Sequence, residues 1–136
     1  MVAAVCGWHE YHARAARELD RRLGHGETLT IAAPALVETY AVLTRLPPPH
    51  RLAPAESLAL LEANFVGPDV ELAALDGEGY RRLLRRAPEQ DVAGGATYDA
   101  VIVACALAAQ VTALLTFNER QFRPLAPATL AIVVPG

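Results

Sequence analysis

Residues 100–117 carry no charged side chain, and they follow directly on Gly94-Gly95-Ala96-Thr97-Tyr98-Asp99. A run of that length is about what a membrane span requires. Gln110, Thr112 and Thr116 interrupt it, so it reads instead as a buried helix over 97–110 followed by a buried strand over 113–116. One carboxylate, Asp99, then sits where a glycine loop becomes an apolar helix. Aspartate is a mediocre helix former and is seldom fully buried without a partner. Two accounts of it stand. In one, Thr97 is the N-cap and Asp99 merely complements the helix dipole, worth a few tenths to ~1 kcal/mol. In the other, the dipole keeps Asp99 ionised at the carboxyl end of a parallel sheet, where α/β folds bind ligands and metals.

The rest of the chain alternates helical and extended patterns. Residues 11–23 place Ala15, Ala16, Leu19 and Leu23 at helical spacing, and Gly24 closes the segment. Residues 28–33 form a short strand, Pro34 opens a helix through Leu46, and Pro47-Pro48-Pro49 stops it. A further helix spans 54–65, a strand 70–75, and a helix capped by Asp76 runs to about Arg86. After 113–116 a loop over 118–127 leads to a last strand at 130–134. This succession of short apolar strands and helices predicts an α/β, three-layer α/β/α sandwich with a parallel sheet. Met1 to Cys6 reads as a short strand or as the remnant of a helix; if it is a helix, the chain enters this fold without its first strand, leaving strand edges that dimerisation would hide.

With 136 residues, 53% of them hydrophobic, the chain is expected to form a single domain over 1–136 with an ample core. A net charge of −3 argues against holding nucleic acid by bulk charge, although local basic patches remain available. All 12 cations are arginine. Cys6 and Cys105 lie in apolar, alanine-rich surroundings, unlike the spaced sets of disulfide scaffolds, and are expected to be reduced core residues of a cytoplasmic protein. No basic n-region precedes the first apolar run, so no secretory signal is read there.

Acidic residues on apolar segments are few. Glu38 lies about one turn into the helix after the 28–33 strand, and Asn118 follows the 113–116 strand, with Thr116 beside it. If those strands are parallel neighbours, Glu38, Asp99 and Asn118 converge on one sheet edge. Carboxylates brought together are relieved by a proton or a cation. A hard divalent ion held by two or three oxygens and completed by water is the usual solution for magnesium, and it suits phosphodiester hydrolysis. For Glu38 alone, a partly exposed helix residue is an equal reading.

The segments Ala33-Pro34-Ala35-Leu36-Val37-Glu38, Gly94-Gly95-Ala96-Thr97-Tyr98-Asp99-Ala100 and Leu114-Leu115-Thr116-Phe117-Asn118-Glu119-Arg120-Gln121-Phe122 resemble, in order and spacing, the motifs of PIN domains. The likeness is greatest to the VapC toxins of bacterial toxin–antitoxin pairs. The resemblance implies an Mg2+- or Mn2+-dependent endoribonuclease that cleaves structured RNA and is held inactive by a small antitoxin protein. It makes Glu38 the second acidic ligand, Asp99 the third, and Asn118 the fourth position, where the family uses Asp or Asn. The family's first ligand is an Asp ending an initial strand. Here Val2-Ala3-Ala4-Val5-Cys6 aligns with the apolar helix that follows that Asp. Two carboxylates in place of three predict weaker magnesium binding and put catalysis by the shortened chain in question. A catalytically inactive module that binds antitoxin or itself is the alternative. A flavodoxin-like binder of a phosphorylated ligand fits less well, since no glycine-rich loop follows 28–33.

Arg120 and Arg123 flank Asn118 and, with Thr116, are the candidates for RNA contact. Arg81, Arg82, Arg85 and Arg86 form an i,i+4 cluster that is either an RNA-tracking surface or a solvated helix face, the latter favoured. His9 and His12 lack the further ligands of a zinc set.

Overall fold

The computed structural model describes all 136 residues, which form an α/β chain of two compact units, Met1–Leu72 with Gly136, and Ala73–Pro135. In the amino-terminal unit, helix α1 (Val2–Val5) packs against α2 (His12–Gly24), strand β1 (Leu29–Ala32) leads into α3 (Ala33–Arg45), and α4 (Pro54–Phe65) packs on α3. Strand β2 (Val70–Ala73) pairs with β1. Prolines start α3 and α4, where a missing N–H costs nothing. The first residues are indeed helical, and α1 is tied to α2 by the His12 ring, whose Nδ1 donates to the Ala3 carbonyl at 2.9 Å. Cys6, Ile31, Leu43, Leu61 and Phe65 make the buried core of this unit.

The carboxy-terminal unit contains α5 (Gly77–Arg86), α6 (Ala96–Ala108), β3 (Ala113–Leu115), α7 (Glu119–Phe122) and β4 (Ala131–Val133). Strands β3 and β4 are parallel, with Ala113 opposite Ala131, Leu114 opposite Ile132 and Leu115 opposite Val133. Asp76 caps α5 as expected, its Oδ1 accepting from the Gly79 N–H at 2.7 Å. The space at Gly79 is tight, since a Cβ there would meet the Leu75 side chain at 3.1 Å. Val103, Ala106, Phe122 and Leu130 form the core, and no helix is long and apolar enough to cross a membrane.

Three details correct the sequence expectations. The strands pair as two two-stranded sheets, β1 with β2 and β3 with β4, so β1 is not hydrogen-bonded to β3. Thr97 is not the N-cap of α6. Gly94 turns the chain at φ +56, Gly95 is the cap, and the Thr97 and Tyr98 N–H groups donate to the carbonyls of Gly94 and Gly95, leaving no role for a capping hydroxyl. The 118–127 loop contains α7, which buries Phe122 as a plug.

Both cysteines are free and buried, and burial pushes both thiols above their ordinary range. On α2, Glu18 accepts from Arg21 and Arg22 at 2.7 to 2.9 Å, and these bonds hold its carboxyl down at about 2. A carboxylate so depressed supports folding fully above its unfolded value near 4.5, and that support is lost as pH falls through about 2. Glu18→Gln should therefore flatten the fall in thermal stability between those two pH values, and superimposable acid limbs for parent and variant would refute this.

Ser57 is fully buried in α4 and its hydroxyl has no hydrogen-bond partner. An unsatisfied buried hydroxyl costs about 1–3 kcal/mol. Ser57→Ala is expected to raise the free energy of unfolding by about 1 kcal/mol in urea titrations. A lower urea midpoint in the variant would show that the hydroxyl is stabilising.

Candidate functional site

Asp99 is half-buried in the first turn of α6, where the free N–H groups and the helix dipole favour a negative charge. Tyr98 beside it is 74% exposed, although the helix it opens is otherwise apolar. In the same unit, Thr116 follows β3, and its Oγ1 accepts from the backbone N–H of Asn118 at 3.0 Å. That bond shapes the turn into α7. The Asn118 amide nitrogen donates one N–H to Oε1 of Gln121, and its amide oxygen and second N–H are the groups Asn118 can still offer.

The two arginines of this loop differ. Arg123 is bound through Nε to Oε1 of Glu119 at 3.0 Å, so its charge is already answered. Arg120 is exposed and makes no ion pair, and is the better placed of the two for an anionic ligand. Thr116 has its hydroxyl engaged in the turn, and its part in ligand contact is correspondingly reduced.

Glu38 belongs to the amino-terminal unit, on α3. It is exposed, between Val37, which is 70% exposed, and Thr39, which is buried and returns its hydroxyl to the Ala35 carbonyl at 2.7 Å. The partly exposed reading of this residue therefore describes its present surroundings. One neighbour was not foreseen. Burial lowers the pKa of the Met1 amino group, while Cys6 and Glu38 pull it back upward, so the amino group lies within electrostatic reach of Glu38. No pattern in the sequence signals this, because it depends on α1 folding as a helix.

No group of three or more His, Cys, Asp or Glu side chains that could hold a metal is assembled in the chain. The donors on offer, two carboxylates and an amide oxygen, are hard oxygen ligands of the kind magnesium takes alongside several waters. They fit the ion in kind, in a set smaller than three carboxylates. The histidines serve local structure: His9 Nδ1 accepts from the Tyr11 N–H at 3.1 Å, His25 donates to the Arg21 carbonyl, and His50 stacks on Trp8 with centroids 4.2 Å apart.

Short parallel strands, an apolar α6 opened by a carboxylate, and an Asn-led turn after β3 are matched by a known family. Residues 1–126 match the PIN domain, and the chain belongs to that family. Among its relatives it is similar to Ribonuclease VapC40 of Mycobacterium tuberculosis, with 44% identity over 106 residues, 75% of this chain and 69% of the relative. It is also similar to Ribonuclease VapC27 of the same organism, with 41% identity over 86 residues, 63% of this chain and 59% of the relative. No solved structure matches the chain.

Proposed function

We propose that the chain is a metal-dependent endoribonuclease, the toxin component of a toxin–antitoxin pair. Its substrate is RNA, its cofactor Mg2+ or Mn2+, its regulator a small antitoxin protein, and its setting the cytoplasm, with a homodimer as the working form. The observation that carries this reading is Asp99, a half-buried carboxylate in the first turn of an apolar helix, in a PIN-domain chain similar to VapC ribonucleases.

In this reading Glu38 and Asp99 are the carboxylate ligands of the metal. The bound ion would supply a lowered water pKa and charge stabilisation at the phosphate. The protein's own part is electrostatic and positional. The amino end of α6 favours a negative charge at Asp99, the Asn118 oxygen orients water or a ligand, and Arg120 offers an unpaired guanidinium to a phosphate oxygen.

A second reading, an inactive PIN-like module that binds antitoxin or a second copy, is favoured by one observation: no three metal-binding side chains are grouped together. Cleavage of structured RNA by the purified chain, abolished by a chelator, would exclude it. On the ribonuclease reading Asp99→Asn should lower cleavage by roughly 10²-fold or more, the scale on which losing one charge-stabilising group acts. Metal titration of Asp99→Ala should show weakened binding. Unchanged metal affinity in that variant would overturn the assignment of Asp99.

A further inference from the structure

Helix α5 carries four arginines, Arg81, Arg82, Arg85 and Arg86, against a single glutamate, Glu78, in a chain whose net charge is −3. Residues four apart stack about 6 Å apart along a helix, so the exposed surface divides into three rows. Arg81 and Arg85 form one row, and both reach Glu78, at 3.3 and 3.4 Å. Arg82 and Arg86 form the next, exposed and without any ion pair, although Glu89 and Asp91 follow in the turn beyond the helix. Tyr80 and Leu84 form the third, 41% and 60% exposed. The inner face is Gly79, buried, with Leu83 and Ala87 partly so. One glutamate shared by two exposed arginines neutralises at most half of the cluster.

We propose that the arginine-bearing face of α5 is a docking surface for a single-stranded RNA backbone, with Arg82 and Arg86 on successive phosphates. The proposal rests on the ribonuclease reading in taking RNA as the ligand, and places part of its grip on a helix outside the Glu38, Asp99 and Asn118 set. Screening supports a local effect. At physiological salt, charges beyond about 8 Å are largely damped, so the acidity of the rest of the chain does not cancel a patch of this density. The shape of the face favours nucleic acid over a protein. A stable protein interface needs about 800 Å² per partner around a desolvated apolar centre, whereas this is one convex helix with two apolar side chains. A phosphodiester chain asks only for spaced cations, which Arg82 and Arg86 supply about 6 Å apart along the helix.

The test is binding of a fluorescently labelled single-stranded RNA oligonucleotide to the full chain across a salt series, in EDTA to prevent cleavage. Arg82→Ala with Arg86→Ala is expected to weaken binding and to reduce the slope of log K against log salt by about 1.4, two phosphate contacts at roughly 0.7 each. Arg82→Lys with Arg86→Lys should restore the slope, and circular dichroism should match the parent for both. A slope unchanged in the alanine variant overturns the proposal, in favour of plain solvation or a protein partner, and leaves the ribonuclease reading standing if the parent still cleaves. Loss of slope in a chain that binds but never cleaves would support the surface and sink the ribonuclease reading. A parent that binds no RNA at any salt overturns both.

Discussion

Helix α6 has no charged residue after Asp99, and keeping it from water organises the carboxy-terminal unit. The neighbours come from the segments on either side of it: α5 and α7 pack on it, and Val103 and Ala106 join Phe122 and Leu130 in one cluster. Each methylene so buried contributes about 0.8 kcal/mol, whereas a charge placed mid-helix would face a desolvation cost with nothing to answer it. A carboxylate is favoured in the first turn, where unpaired N–H groups meet it. Asp99 stands in that first turn, half-buried, where the helix dipole favours its charge.

The same logic accounts for Glu38 in the other unit. Leu36, Thr39, Tyr40 and Leu43 recur at the spacing of one helix face, and Thr39 and Leu43 are buried. Glu38 falls off that face and is exposed, as is Val37. Its carboxylate therefore acts through a wetter, higher-dielectric environment than that of Asp99, and would contribute less to holding a cation at equal distance. The two residues are equivalent as motif positions and unequal as electrostatic groups.

Most element positions were legible because local chemistry marks them. Pro34 and Pro54 open helices, Asp76 caps one, and Gly94-Gly95 precedes another. What escaped was either very short or non-local. Helix α7 has four residues and is set by the Asn118 carbonyl accepting from Gln121 and Phe122, a pattern that no hydrophobic period reveals. Strand pairing is non-local: apolar runs of three or four residues say that they are buried, not which neighbour they pair with, and so the partner of β1 was not legible in the sequence. The roles of Arg120 and Arg123 look alike in sequence. Glu119, four residues before Arg123 on a turn not recognised as helical, separates them.

Family membership shows the fold class, and what a PIN domain of this kind does depends on the particular groups it presents. This chain distributes its charges unevenly. The carboxy-terminal unit puts four of its six arginines on α5, its apolar residues through α6, and a carboxylate at the start of α6. An anionic polymer is repelled by a carboxylate and attracted by arginines that make no ion pair. On the proposed ribonuclease reading, RNA chemistry near Asp99 would require that its charge be offset locally, while retention of the polymer would fall to cations such as Arg82, Arg86 and Arg120, which make no ion pair. Binding and chemistry are then carried by different residues. Weakening the carboxylate set would impair the chemistry first and leave affinity for the polymer largely in place.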